Sequence, residues 1–161
     1  MPVLRRLKEV FDRAKISYEV YNHPRAFTAQ EIAATQHITG RAMAKVVMLN
    51  VDGSFIMAVL PSNRMVNFDR AKAGLRATEV SLATEEQFAV LFPECEIGAM
   101  PPFGNLFGLP VYVDPALERY EAIFFNAGNH QHTVRLKYRD FKTLVKPETV
   151  TLTEARRKKA A

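Results

Sequence analysis

Lys45 opens the run Lys45-Val46-Val47-Met48-Leu49-Asn50-Val51, which reads as a strand covered on both faces. An ammonium group at the mouth of such a strand needs an anionic partner, or it must snorkel to solvent. Two further segments carry chemistry-bearing patterns. Gly98-Ala99-Met100-Pro101-Pro102-Phe103-Gly104 is a Gly/Pro loop, and such loops expose backbone N–H groups that can hold a carbonyl or a developing oxyanion. Gly128-Asn129-His130-Gln131 is a tight turn or a longer hairpin loop with a histidine in it. The plainer readings are a stiff connector for the first and an ordinary hairpin for the second.

His130 and His132 lie two apart at the start of an expected strand, which places them on one face at a metal-ligand spacing. No neighbouring Cys or carboxylate cluster supplies a third ligand, so no metal and no cofactor are expected. His23, before Pro24, reads as structural, and His37 as a surface residue. Cys95 is the single cysteine, which excludes an internal disulfide and favours a small filler role over a reactive thiol. No serine sits in a nucleophile elbow, and the acidic residues fall at caps and on helix faces. A triad hydrolase and a two-carboxylate mechanism are both unsupported.

The elements that must position these residues follow from pattern. Val3, Leu7, Val10, Phe11 and Ala14 predict an amphipathic helix over residues 2–15. Ile16, Tyr18 and Val20 alternate as a short strand, broken at His23-Pro24. Thr28-Ala29-Gln30-Glu31 is a capping box opening a helix through about Thr35, and Gly40 closes that region. Val46–Val51, Asp52-Gly53 and Ser54–Leu60 predict a hairpin with a type I′ turn. Asn67 or Asp69 caps a short helix to Gly74, Glu79–Leu82 is a short strand, and Thr84–Gln87 is a second capping box. Leu109–Val113 is a strand, and Asp114-Pro115 starts a helix. Ala122–Asn126 and His132–Tyr138 are β-rich, and Asp140 is expected to cap a last helix, Phe141–Val145. Hairpins with interspersed helices predict one α+β domain around a mixed, mostly antiparallel, barrel-like sheet, over residues 1–150, with a basic tail at 151–161.

Bulk composition agrees with one ordinary globular domain: 161 residues, 48% hydrophobic and 24% charged. No apolar stretch reaches the roughly 18 residues that span a membrane, and the N-terminus has no secretion-type core, so a cytoplasmic setting is expected. The net charge is +5, but Arg156, Arg157, Lys158 and Lys159 supply +4 of it, which leaves +1 for residues 1–155. That tail is either a non-specific phosphate contact or a solvated end. Within Ser62–Thr78, Arg64, Arg70, Lys72 and Arg76 outweigh Asp69 by +3, either a patch for a polyanion or a wet helix face. Glycine-rich nucleotide motifs are absent.

In order, these landmarks resemble the YbaK family, also described as the prolyl-tRNA synthetase editing domain. They are His23-Pro24, the helix containing Ala33, Ala44-Lys45-Val46-Val47-Met48 with its hairpin, the Gly98–Gly104 loop with Gly98 and Pro102 in the Gly-x-x-x-Pro places, Leu109–Asp114, and Phe125–Leu136. The resemblance covers roughly residues 16–146. It implies a deacylase that hydrolyses the ester between a wrong amino acid and the 3′ end of tRNA. It implies that Lys45 orients that 3′ end, that the backbone of Gly98, Ala99 and Met100, before Pro102, holds the aminoacyl carbonyl, and that Gly128 and His130 border the amino-acid pocket. Water would be activated by the substrate's own ribose hydroxyl, which needs neither triad nor metal. Mischarged tRNA is the implied partner, with a synthetase as a second; lacking a fused synthetase domain, the chain is expected to act in trans. Met100-Pro101 departs from the small residue or Ser common before the family's proline, and Ser62-Asn63-Arg64-Met65 lacks an acidic residue often found there. A non-catalytic module that binds tRNA ends or a synthetase in the same cleft is the alternative expectation.

Overall fold

A computed structural model of the chain describes residues 3–22 and 42–154. The expected capping box at Thr28, and His23, Ala33, His37, Gly40 and the basic residues 156–159, lie outside the described residues. The described elements run α1 (Val3–Arg13), β1 (Tyr18–Asn22), β2 (Ala44–Val51), β3 (Ser54–Pro61), α2 (Phe68–Leu75), β4 (Val80–Leu82), α3 (Glu85–Ala89), β5 (Val111–Val113), β6 (Ala122–Asn126), β7 (His132–Lys137), α4 (Tyr138–Val145) and β8 (Glu148–Thr149). Short 3-10 helices at Gly104–Phe107 and Pro115–Arg119 flank β5.

Among the described residues the strands form two sheets and no closed barrel, which bears out the α+β class. One has the order β1-β7-β6 and is antiparallel throughout. The other has the order β4-β2-β3-β5-β8, antiparallel as far as β3 and parallel beyond it. They meet where the chain enters β2: Met43 bridges Phe124 in parallel, and Phe124 N–H donates to the Ala42 carbonyl at 3.1 Å. That junction carries the base of Lys45's strand alongside β6, the strand leading into the Gly128 turn.

The β2–β3 hairpin forms as its turn chemistry dictates. Asp52 and Gly53 adopt φ of 49° and 88°, the positive pair a type I′ turn requires. The Asp52 carboxylate then accepts the Thr78 and Glu79 N–H groups, which ties the hairpin to β4.

Each face of the five-stranded sheet has its own core. Ala44, Met48, Met57 and Val59 pack with α1 and the three-stranded sheet; Leu49, Ile56, Ala58 and Leu60 pack with Ala71 of α2 and Leu152. Phe103, from the Gly/Pro loop, sits fully buried in the first core against the rings of Phe11, Phe125 and Phe141, with centroids 5.6–6.0 Å apart. Such contacts anchor the loop well beyond the stiffness of its prolines. Buried contacts continue past β8: Asp114 is 2% exposed, and its carboxylate accepts the N–H groups of Ala116, Leu152 and Thr153 and the Thr153 hydroxyl.

One helix start differs from expectation. Helix α4 begins at Tyr138, directly off β7, with Lys137 at the N-cap and no side-chain cap. Asp140 stands in its first turn and does not cap it. The earlier start is held by the Tyr138 N–H donating to the Glu121 carbonyl at 2.8 Å and by burial of the Tyr138 side chain.

Candidate active site

The Gly/Pro loop and the late glycine turn are 30 residues apart in sequence and locked together in space. Gly128 N–H donates to the Ala99 carbonyl at 2.9 Å, and Glu96 N–H donates to the Gly128 carbonyl at 2.8 Å. Within the loop, Ala99 N–H donates to the Glu96 carbonyl at 3.0 Å. Ala99's donor is therefore spent on the loop itself, whereas the N–H groups of Gly98 and Met100 donate to no described residue. Gly98 is exposed; Ala99, Met100 and Pro102 are buried. The Met100 side chain belongs to the first core, so what this loop shows to solvent is chiefly the Gly98 backbone.

The two glycines are required where they stand. Gly98 and Gly128 have φ of 85° and 95°, a region that L side chains rarely adopt. A Cβ on Gly128 would also lie 2.8 Å from Cβ of Val3, so the turn rests on the first residue of α1.

The turn is shaped by Asn129, whose Oδ1 accepts the N–H groups of Gln131 and His132 at 2.8 and 2.9 Å. The strand alternation that would put His130 and His132 on one face is absent. β7 begins only at His132, so the alternation of a strand does not reach His130. The two rings have different partners: His132 Nδ1 lies 3.0 Å from Asn129 Oδ1, and His130 Nδ1 lies 2.7 Å from Glu96 Oε2. No cluster of three metal-ligating side chains occurs among the described residues.

Glu96 is the residue that sequence reasoning missed. It precedes Gly98 by two positions, which was the available signal, but its partner is 34 residues away. His130 is 5% exposed, and its Nε2 lies 3.7 Å from where a Cβ on Gly98 would stand. Gly98, Ala99, Gly128 and His130 thus form one contiguous constellation, with Glu96 behind the ring.

No contact among the described residues brings Lys45 to this constellation. Lys45 is half-buried near the start of β2, opposite Leu60 of β3. By strand alternation its side chain leaves on the face of Val47 and Leu49, opposite that of Ala44 and Met48. Burial lowers its pKa from 10.5, and no hydrogen bond or ion pair joins it to the loop or turn among the described residues. Neither does Cys95 offer a nucleophile: burial, outweighing the nearby Arg6 charge, raises its thiol to about 11.

Residues 23–144 match the model of the aminoacyl-tRNA editing domain. The chain belongs to the aminoacyl-tRNA editing domain family. It is accordingly a hydrolase of the aminoacyl-tRNA ester class. Among curated proteins it is 30% identical over 125 residues to the multifunctional Ser/Thr-tRNA deacylase ProXp-y of Escherichia coli strain K12, a span covering 73% of this chain and 74% of that one. Solved structures of the same fold include a candidate trans-editing enzyme for prolyl-tRNA synthetase, with TM-score 0.81 and 20% identity over 96% of this chain and 99% of that one. A hypothetical protein superposes with TM-score 0.83 at 16% identity over 92% of this chain and 99% of that one. Among the described residues no helix is long and apolar enough to cross a membrane.

Proposed function

We propose that this editing domain acts in trans, in the cytoplasm, on mischarged tRNA, and that it works by holding the ester rather than by supplying a nucleophile. The aminoacyl carbonyl lies against the Gly98–Met100 backbone, with the N–H groups of Gly98 and Met100 as donors, since Ala99's is already used. Gly128 and His130 border the amino-acid side of the pocket. Pro102 and Phe103 keep the loop fixed from below. Lys45, half-buried without a countercharge among the described residues, takes a phosphate of the tRNA 3′ end as its anionic partner. The substrate's ribose hydroxyl helps water attack the ester, and a pocket that fixes that geometry can lower the barrier by several kcal/mol, up to about 7–11 in ideal intramolecular cases.

The observation that carries this reading is the backbone lock between loop and turn. It builds a rigid rim with two backbone donors left over to hold the ester carbonyl, while the buried Cys95 thiol, raised to about 11, supplies no nucleophile. Serine and threonine esters lead the list of substrates, because the Escherichia coli relative is named for them; prolyl-tRNA mischarged with a smaller amino acid is next, with prolyl-tRNA synthetase the candidate partner. Lys45→Ala tests the anchor: losing one charge-assisted contact, about 1.5–3 kcal/mol, lowers kcat/KM roughly 10–150-fold. Full activity of that variant removes the role given to Lys45.

A further inference from the structure

We infer that Glu96 is a positioning residue for His130, fixing the ring as the Nδ1–H tautomer so that Nε2 faces the aminoacyl group as a hydrogen-bond acceptor. The inference rests on the deacylase reading only for what Nε2 meets. That Nδ1 is the donor follows from the geometry.

The Glu96 carboxylate has no proton to give in its ionised form, so the 2.7 Å contact to Nδ1 requires the ring nitrogen to be the donor. In a neutral imidazole that leaves Nε2 with a lone pair. The pair is unequally exposed, at 7% for the His130 side chain and 35% for that of Glu96, so the ring is the enclosed member and the carboxylate reaches it from the solvent side. Glu96 is itself held in place by its backbone, which donates to Gly128 and accepts from Ala99. The carboxylate, the loop and the turn therefore move as one unit, and the orientation of the ring is tied to the same hydrogen bonds that shape the rim. Nε2 lies beside Gly98, at the distance of ordinary van der Waals contact from a methyl group built there.

A lone pair at that point suits the α-ammonium group of an aminoacyl ester whose carbonyl rests on the neighbouring N–H groups. A ring turned to the other tautomer would present a proton to that cation instead. The same carboxylate–histidine arrangement orients imidazoles in metal sites and catalytic triads. Here it sets the character of a pocket wall.

The test combines a spectroscopic readout with kinetics on the full chain. Long-range 1H–15N spectra at pH 8.5, assigned with His130→Gln, report which ring nitrogen carries the proton. The wild type is expected to show Nδ1 protonated and Nε2 bare, and Glu96→Ala to shift His130 toward the Nε2–H form. In deacylation of mischarged tRNA, Glu96→Ala is expected to lower kcat about 10-fold with KM within about 2-fold, because the tRNA supplies most of the binding. Glu96→Gln, which keeps an oxygen acceptor for Nδ1–H, is expected to recover most of the rate. Both ring nitrogens protonated in the wild type, an unchanged tautomer in Glu96→Ala, or a kcat loss without a tautomer change would each overturn the inference. If the wild type hydrolyses no mischarged tRNA, the deacylase reading fails, while the spectra still decide whether Glu96 sets the ring.

Discussion

Replacing Gly128 by alanine separates two costs that the structure assigns to one position. The first is conformational: φ of 95° is outside the range L residues favour, at a cost of about 1–2 kcal/mol. The second is steric: the new Cβ would meet Val3 at 2.8 Å for Cβ, 3.2 Å for Cγ1 and 3.4 Å for Cγ2, and overpacking of this kind costs about 1–3 kcal/mol. Gly53 provides the control, since its φ is 88° but a Cβ there has nothing within 4 Å. Gly53→Ala thus carries the first cost alone, and Gly128→Ala both, for a total of about 2–5 kcal/mol. With a urea m-value of about 2 kcal/mol/M, the Gly128 variant should unfold roughly 1–2.5 M earlier than wild type and clearly earlier than the Gly53 variant. Because the turn rests on α1, relieving the clash also displaces His130, so the Gly128 variant should lose deacylation while Gly53→Ala keeps it. Equal midpoints for the two variants would refute the claim that the turn is seated on Val3.

Three other outcomes follow from the same packing. Lys45→Met should leave the protein at least as stable as wild type near neutral pH. The lowered pKa means that the fold disfavours the protonated lysine, a cost present below the folded pKa and relieved as pH rises through it toward 10.5, so thermal melts of the two proteins should converge above that point; a wild type more stable than the variant at pH 7 contradicts this. Cys95, raised from 9.0 to about 11, should alkylate with iodoacetamide about 100-fold more slowly at pH 7.5 than an ordinary thiol, and labelling at the ordinary rate would show the site to be open. Among the described residues the buried Tyr138 hydroxyl has no hydrogen-bond partner, so Tyr138→Phe should raise Tm by about 2–4 °C, from roughly 1 kcal/mol of relieved desolvation; a lowered Tm would mean that the hydroxyl has a partner.

What the sequence disclosed, and what it did not, divides by distance along the chain. The Asp52-Gly53 hairpin and the Thr84–Gln87 capping box were legible because four residues contain the whole physical argument. The start of α4 was not, because it is fixed by a bond from Tyr138 to Glu121 across the sheet and by burial, which overrode the better capping chemistry of Asp140. The strand alternation assumed for His130 and His132 was absent for a related reason. A period-2 argument holds only inside a strand, and Asn129 holds the turn open until His132. The ordered glycines gave the location of the rim, but nothing local links Glu96 to His130. Lys45 was visible as a costly charge, while the face it leaves by became clear only once the two cores were separated.

The account stands or falls on whether this domain hydrolyses the aminoacyl-tRNA ester without a nucleophile of its own. The direct measurement is the release of amino acid from a panel of Ser-, Thr-, Ala- and Cys-charged non-cognate tRNAs, with the purified chain as the sole protein, repeated with Cys95→Ala. The account predicts turnover of at least one mischarged tRNA, slow or no release from correctly charged ones, and an unchanged rate for the Cys95 variant. Binding of tRNA without release of amino acid from any member of the panel, or a rate abolished by Cys95→Ala, would contradict it.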